Sequence, residues 1–408
     1  MKLLIVTNYF PPEIGGASHL YYELAESLSQ KGNSVTVITG FPRYNVSKAE
    51  SGRRAGLCSV EKMGKIDVMR VFIPSMPRNV LFLRGLEHFT VAFSLFWGGL
   101  FAKKADVILV YSPPLTLALA ACWLGKLRKM RVVVNVQDLF PQEAIDLGLL
   151  KSSFLIDLFF KMEKLVYRLA DAVAVHSHGN ANYVKSKENR VKRVEVVPNW
   201  IDLDRLKPAG KENAFRQEYN LGKKFIVSYA GTMGWCQDTG TIIRAAALLR
   251  DKEDILFLLV GEGVEKEGMV RDALSLKLTN VVFLPMQPWD KYPQVLQASD
   301  LCLVNLKDKL KTPVVPSKIL GIMATGRPIL ASMPLNGDAP RIIQEAGCGM
   351  VIEPGNARKL ADSILQLYRS PAQLEEMGRK GREYAEKHFS RETGVRRYEE
   401  IFKWAAKG

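Results

Sequence analysis

Cysteine is scarce in this sequence and none of it is paired. Cys58, Cys122, Cys236, Cys302 and Cys348 are scattered over 408 residues without a Cys-x-x-Cys among them. That spacing argues against a zinc site or a disulfide framework and points to a reducing compartment. Several of the five lie in apolar runs such as Leu301-Cys302-Leu303-Val304, where a small buried thiol is expected. A secretory leader is not expected either. One lysine precedes Leu3-Leu4-Ile5-Val6, which is too short an apolar stretch and has no small-residue cleavage site, so a cytoplasmic protein is expected. No uninterrupted membrane span is present: Val107–Gly125 is uncharged, but Ser112-Pro113-Pro114 divides it, and a double proline would leave backbone groups unpaired in hydrocarbon. Low-complexity tracts, the P-loop and the Gly-x-Gly-x-x-Gly fingerprint are also absent; Gly261-Glu262-Gly263 lacks the third glycine. ATP and NAD chemistry lose ground accordingly.

What remains is a globular composition with an unusual charge. Apolar residues make up 47% and charged ones 24%, which excludes a disordered chain or a coiled coil. The length suits two or three domains. Lys and Arg number 57 against 42 Asp and Glu, a net charge of +15. Residues 1–200 hold 26 of the bases and 16 of the acids, so the first half carries +10 and the remainder +5. Such a bias suits nucleic acid, an anionic membrane surface or phosphorylated ligands. No basic stretch is interleaved with stacking aromatics, which weakens the nucleic-acid reading. The uncharged run Phe89–Phe101, flanked by Arg78, Arg84, Lys103 and Lys104, reads as a helix that either belongs to the core or faces a membrane.

Short β-branched runs recur along the chain, seven in the first half from Leu3–Val6 to Val194–Val197, and six in the second from Phe225–Tyr229 to Met350–Ile352. Continuous apolar runs of this length suit strands buried on both faces, and their alternation with helical patterns predicts a doubly wound α/β fold, built twice. Pro198–Lys211, with two prolines and no strong periodicity, is the expected linker. It separates an N-terminal Rossmann-like domain, 1–200, from a C-terminal one, 210–384. One long amphipathic helix, about Pro371–Lys407, is expected to end the chain, its last part, about 385–408, rejoining the first domain. Two such domains facing across a cleft would bind ligands at the carboxyl ends of their strands.

Two loops stand out at such positions. Tyr9-Phe10-Pro11-Pro12-Glu13-Ile14-Gly15-Gly16 lies between the first strand and a helix expected near Ser18, and paired glycines there allow close backbone approach to an anion. Pro316-Ser317-Lys318 opens a predicted helix that Gly326 closes, with Ser317 as its N-cap. A diphosphate there would gain from the helix dipole, free N–H groups and the Lys318 ammonium together, although a capped surface helix has the same pattern.

Further segments extend the pattern over nearly the whole chain. LSQKGNSVTVIT follows the first loop, then Val136-Gln137-Asp138-Leu139-Phe140-Pro141 and Val197-Pro198-Asn199-Trp200-Ile201-Asp202. Tyr229-Ala230-Gly231-Thr232-Met233-Gly234, LLVGEGVEK, ASDLCLVNL and PSKILGIMATGRPILAS complete the series. In this order and spacing they resemble the family 4 retaining glycosyltransferases of the GT-B type, whose corresponding segments include Asp-Leu-Trp-Pro and Pro-Asn-Gly-Val-Asp. The Pro-Ser-Lys version is similar to the subgroup that assembles surface polysaccharides, the fucosaminyl- and colanic-acid-type transferases.

The resemblance implies a transferase whose C-terminal domain binds a UDP- or GDP-sugar and whose N-terminal domain presents a lipid-linked acceptor, a polyprenyl diphosphate saccharide, at the cytosolic membrane face. The Gly15–Gly16 loop would approach the diphosphate-sugar, while Gly231, Thr232, Gly234, Pro316, Ser317 and Lys318 would hold the phosphates. Configuration is retained in this family, usually with the leaving diphosphate helping to deprotonate the acceptor, so no metal or other cofactor is implied. The closest Asp-x-Asp, Asp202-Leu203-Asp204, lies in the linker.

Asp138 sits just after a predicted strand, placed either to orient or deprotonate an acceptor hydroxyl or to cap the next helix. His176, His178 and His19 are candidates for acceptor or sugar contacts, and equally for internal hydrogen bonds. Asp157, Glu163 and the remaining helical charges read as solvated faces. Two departures from the family stand out. Gly321 and Pro313 occupy the places of its Glu-x7-Glu pair; Glu345 and Glu353 match the count from a later turn and strand, which leaves Glu345 as a ribose candidate. Trp235, Cys236, Gln237 and Asp238 follow the glycine turn where an Arg or Lys is usual, making Lys318 the main cation. The missing glutamates keep open a non-catalytic nucleotide-sugar-binding partner, and the fold class also admits a sugar-nucleotide epimerase.

Overall fold

A computed structural model describes residues 1–13, 16–43, 56–74, 81–188, 190–288, 290–308 and 312–407. The chain divides into one unit of Met1–Asn199 with Arg391–Gly408 and another of Trp200–Ser390. Each is an α/β layer structure on a largely parallel sheet.

The first sheet contains β1 (Lys2–Val6), β2 (Ser34–Gly40), β3 (Cys58–Met63), β4 (Ile66–Val71), β5 (Val107–Ser112), β6 (Arg131–Val136), β7 (Ala172–Val175) and β8 (Val194–Val196), in the order β3-β4-β2-β1-β5-β6-β7-β8. The central strands are apolar on both faces because helices cover both, and Leu4, Ile108, Val133 and Val173 are fully buried. Strand β3 is an addition to the predicted set. Its sequence, Cys-Ser-Val-Glu-Lys-Met, is polar because it is an exposed edge, paired antiparallel to β4.

The second sheet contains β9 (Phe225–Ala230), β10 (Ile255–Val260), β11 (Val281–Leu284), β12 (Leu301–Asn305), β13 (Ile329–Ser332) and β14 (Gly349–Ile352), all parallel, in the order β11-β10-β9-β12-β13-β14. The doubly wound expectation holds in both units. Each sheet reverses its strand order beside its first strand, between β1 and β5 in one and between β9 and β12 in the other. Connections leave that point toward opposite faces, so a crevice opens at the carboxyl ends of those strands.

Two local expectations are corrected. The C-terminal stretch is two helices, Pro371–His388 and Arg391–Lys407, not one. The break falls where Phe389 is buried and its carbonyl accepts the Ile201 N–H at 3.0 Å. The second helix lies on the first unit, where Arg391 pairs with Glu26 at 2.7 Å and Tyr398, Ile401 and Phe402 are buried. Glu163 is buried, not solvated: it stands on the inner side of the Ser153–Leu169 helix with Val166 and Tyr167, while Asp157 on the same helix is exposed. Cys122, Cys302 and Cys348 are buried as expected, but Cys58 is exposed and Cys236 half-buried. Among the described residues no helix is long and apolar enough to cross a membrane.

Candidate active site

At the reversal point of the second sheet, two glycine-rich turns touch backbone to backbone. Gly231 leaves β9 with φ +135°, and its N–H donates to Val260 at 2.9 Å. Gly261 and Gly263 leave β10 with φ +158° and +151°. A Cβ on Gly261 would stand 1.9 Å from the Gly231 carbonyl oxygen, and one on Gly263 would stand 2.2 Å from that of Met233. Gly261-Glu262-Gly263 is therefore no dinucleotide fingerprint; its glycines let one turn brace the other. Met233 N–H donates to Glu262 at 2.8 Å, the Tyr229 hydroxyl donates to the Thr232 carbonyl at 2.7 Å, and Gly234 N–H donates to Gln237 Oε1 at 3.0 Å. The turn is fixed from below and from its far end.

Lys318 reaches the same place from the next strand of the sheet. The loop after β12 ends in the helix Lys318–Ala324, and the lysine side chain returns beneath Gly231, with Cε and Nζ 3.5 Å from where a Cβ on that glycine would be. Its ammonium lies 3.7 Å from the centre of the Tyr229 ring. Nζ is buried and makes no hydrogen bond. Burial pushes the amine down to about 7, with the Cys236 thiol acting in the other direction. Asn305, the last residue of β12, is also buried with neither side-chain amide atom bonded. Unpaired buried polar groups are costly, and two of them stand at this switch point. Lys307, which the motif reading passed over, ties the two loops together. Its N–H donates to Cys236 at 2.9 Å and its ammonium pairs with Glu265 at 2.9 Å.

Other predicted donor-site residues are placed differently. Pro316 accepts the Ile319 N–H at 3.0 Å and so begins the helical turn. Ser317 is exposed and makes no side-chain cap, because its backbone is already helical (φ −58°, ψ −24°) where an N-cap is extended. Thr232 is exposed, with its carbonyl taken by Tyr229. Glu345 is carried away from the turn. It lies in the last turn of the helix Asp338–Ala346, which runs back to the amino edge of the sheet before β14, and it is engaged by Arg341 (3.6 Å) and the Tyr384 hydroxyl (3.4 Å). A side chain at Gly321 would point at the Tyr292 hydroxyl and Leu296 inside the unit. Asp202 accepts the N–H groups of Asp204 and Arg205 and so closes a turn.

The first unit offers a different chemistry at its own switch point. Gly15 lies outside the described residues, and Gly16 opens the helix Gly16–Gln30, with His19 in its first turn. The loop between β1 and that helix is held from three sides. The buried Arg70 donates to the Pro11 carbonyl at 2.6 Å, Glu13 accepts the Arg43 N–H at 2.8 Å, and Arg43 donates to Asn8 at 3.0 Å. None of these three anchors carries a local sequence signal, since each acts across strands that pair far apart in the chain.

Asp138 follows β6 and is exposed; it does not cap the short helix Gln142–Asp146, whose N-cap position is Pro141. Surrounding protein raises its carboxyl above the ordinary carboxylate range. Glu143 is pushed up to about 7 by burial first, then by the Asp138 and Asp146 charges. His176 follows the neighbouring β7 and is hydrogen-bonded to Asn180 Nδ2 at 3.2 Å, and His178 is exposed at the start of the helix His178–Lys187. Asp138 and His176 thus share one edge of the sheet, and His178 follows close behind.

Comparison with known proteins agrees with this architecture. The family described as Glycosyltransferase Family 4 matches residues 14–205, and that described as Glycosyl transferases group 1 matches residues 211–384. WcaI of Escherichia coli (strain K12), provisionally described as a colanic acid biosynthesis glycosyl transferase, is 28% identical over 415 residues, covering 98% of both chains. WbjE of Pseudomonas aeruginosa, also described provisionally as a glycosyltransferase, is 28% identical over 72% of this chain and 75% of its own. Among solved structures, sucrose-phosphate synthase from Thermosynechococcus elongatus superposes with a TM-score of 0.77 at 18% identity, covering 99% of each chain. The Anabaena protein HepE in complex with UDP gives 0.72 at 17% identity, over 99% of this chain and 100% of that one. The chain belongs to the GT-B glycosyltransferases, with a family 4 domain at its N-terminus and a group 1 domain at its C-terminus.

Proposed function

We propose that this glycosyltransferase moves a sugar, with retention of configuration, from a UDP- or GDP-sugar to a saccharide carried on a polyprenyl diphosphate. The setting is surface polysaccharide assembly at the cytosolic face of the membrane, with the protein bound peripherally. The observation that carries the donor half is the Lys318 ammonium, buried without a hydrogen-bond partner beneath the Gly231 turn. A diphosphate at that turn would supply the missing acceptor atoms, and Lys318 would stabilise the charge that develops as the nucleoside diphosphate leaves. The backbone of Gly231–Gly234 permits the close approach. In the step itself the acceptor oxygen bonds to the anomeric carbon as the bond from that carbon to the diphosphate breaks. The diphosphate departs with the electron pair, and the hydroxyl proton passes to one of its oxygens. Asp138 orients the acceptor hydroxyl, and His19, His176 and His178 contact the acceptor or its sugar.

WcaI's description as a colanic acid transferase and HepE's complex with UDP support the polymer class and the donor class. The test is a panel of UDP- and GDP-sugars with synthetic polyprenyl diphosphate saccharides, read by product mass and by the anomeric configuration of the new linkage. Transfer with retention is expected for one donor. An inverted linkage overturns the mechanism, donor binding without transfer points to a non-catalytic partner, and donor interconversion without acceptor points to an epimerase.

A further inference from the structure

Exposed large apolar side chains are concentrated on three helices of the first unit. Leu81–Phe101, Leu115–Arg128 and Ser153–Leu169 hold eleven of the twenty-three such residues in the described chain, although they supply only about an eighth of its length. Scattered surface apolar residues do not cluster this way. The middle helix packs against both others, so the three form one layer. On the first, Phe89, Phe93, Trp97 and Phe101 recur every fourth residue and face outward along about 18 Å, while Val91, Ala92 and Leu95 are buried. Trp123 and Leu127 extend the stripe on the middle helix, and Leu158 and Leu165 on the third. Arg78 lies outside the described residues, and so does the side chain of Arg84.

The apolar face ends at a basic edge. Lys161, Lys164 and Arg168 follow one another at three and four residues on the outer side of the third helix. Lys164 and Arg168 line an open cavity of about 340 Å³, together with Lys187, Glu188 and Arg190. Arg168 is engaged by Glu188 at 2.8 Å, and Glu188 also accepts the Arg190 N–H at 3.0 Å. The Lys187 ammonium lies over the Phe160 ring at 4.3 Å and the Tyr183 ring at 4.8 Å. Four cations thus surround one carboxylate, which leaves positive charge for an anion to balance.

We propose that this face docks on an anionic bilayer, its aromatic stripe entering the interfacial zone while the cavity takes the phosphate of an acidic phospholipid. The inference deepens the membrane part of the function proposed above and rests on that reading only for placing the enzyme at a membrane. Charge complementarity selects the occupant. Lys126, Arg128, Lys161 and Lys164 stand on these helices against one exposed acid, Asp157, so a second copy docked face to face would meet like charge. A lipid surface offers apolar depth and anionic headgroups side by side.

Vesicle co-sedimentation without donor or acceptor tests the docking, so its failure and a failure of sugar transfer are separate results. The protein should bind phosphatidylcholine vesicles weakly and vesicles containing phosphatidylglycerol about 100-fold more tightly. The triple variant Lys164→Glu, Lys187→Glu, Arg190→Glu should lose that preference and keep the weak background. Phe93→Ser with Trp97→Ser and Phe101→Ser should lose binding to both. A UDP-induced rise in melting temperature, unchanged in both variants, shows that they fold. Equal binding to the two vesicle types overturns the proposal, and so does binding indifferent to the substitutions. Stabilisation by inorganic phosphate through Lys164, Lys187 and Arg190 with no vesicle binding assigns the cavity to a soluble anion. A dimer in sedimentation velocity that the aromatic variant dissolves assigns the face to a second copy.

Discussion

Two sheets with the same winding carry opposite chemistry at the same edge. After β6 the first unit holds Asp138, whose carboxyl the surrounding protein raises above the ordinary range, and Glu143, pushed up to about 7 by burial first and then by the Asp138 and Asp146 charges. At the reversal between β9 and β12 the second unit holds Lys318, an amine that burial drives down to about 7. The strands do not make this difference, since residues 132–136 of β6 and Leu301–Asn305 of β12 are both largely apolar and buried throughout. The loops that leave them do. Desolvation disfavours whichever charge is present, so one fold moves an acid and a base toward neutrality from opposite sides. In the function proposed above, an acceptor hydroxyl and a leaving diphosphate call for those two kinds of group.

The largest way to break the contrast is to remove its cation. Lys318→Ala should lower kcat by about 10²–10³-fold, or about 3–4 kcal/mol, as loss of a principal oxyanion donor does. Calorimetry should also record weaker UDP binding. Lys318→Arg should not restore the rate, because the amine fits beneath Gly231 against the Tyr229 ring, where a planar guanidinium is too broad. Unchanged kcat in Lys318→Ala removes the lysine from the mechanism.

The acidic side comes next. Asp138→Asn should slow transfer about 10²-fold with donor affinity intact. The pH profile carries the sharper information. A carboxylate that orients the hydroxyl acts when ionised, and the protein holds Asp138 above the ordinary carboxylate range, so kcat/KM should rise with pH over an acid limb displaced upward. Lys318 acts when protonated, so the same quantity should fall above about 7, which gives a bell for the free enzyme. A bound diphosphate favours the ammonium, so the alkaline limb of kcat should lie at higher pH than that of kcat/KM. Glu143→Gln removes a like charge beside Asp138 and should move only the acid limb, to lower pH. An acid limb that stays in place separates the two carboxyls.

A third substitution breaks one unit and spares the other. Gly261→Ala drives a Cβ into the Gly231 carbonyl at a φ that side chains disfavour, and about 2 kcal/mol of stability should be lost. Circular dichroism melting should show that loss in the second unit's transition, with UDP binding weakened and vesicle binding by the first unit intact. Loss of both together would tie the units more closely than the contrast allows.

Legibility in the sequence follows the same division between strands and loops. Buried parallel strands announce themselves, because burial on both faces leaves an apolar run with no competing pattern; every predicted strand has its counterpart, and only the polar edge β3 escaped. The lysine and the glycine turns were legible as types at a strand–helix junction. What could not be read was what depends on distant pairing. Arg70 and Arg43 brace the loop after β1 from β4 and from beyond β2, and Asn305 ends a strand in an ordinary apolar run. Glu345 shows the opposite error, a correct spacing whose helix delivers the carboxylate to the amino edge of the sheet. Glu163 was misread because a charge one helical turn from Tyr167 looks solvated until the helix's inner face is known.

That glutamate gives the smallest expected effect and a check on the reasoning about burial. Its carboxyl is fully buried, bonded to the Tyr167 hydroxyl at 3.0 Å, and pushed up to about 7, first by desolvation. An acid with a raised native pKa binds its proton more tightly folded than unfolded, so it lowers stability as pH rises from the unfolded value of 4.5 through about 7, and the penalty is constant above. Glu163→Gln cannot ionise and keeps an oxygen for Tyr167. Its amide then takes the place of the oxygen that faces the Tyr183 hydroxyl, which offsets part of the gain. The variant should therefore be more stable than the parent by about 1 kcal/mol at pH 8, and no more stable at pH 4. Urea unfolding at the two pH values reads the difference directly. A gain that is the same at both would mean that packing, not the buried charge, distinguishes the two side chains, and the desolvation argument applied to Asp138, Glu143 and Lys318 would weaken with it.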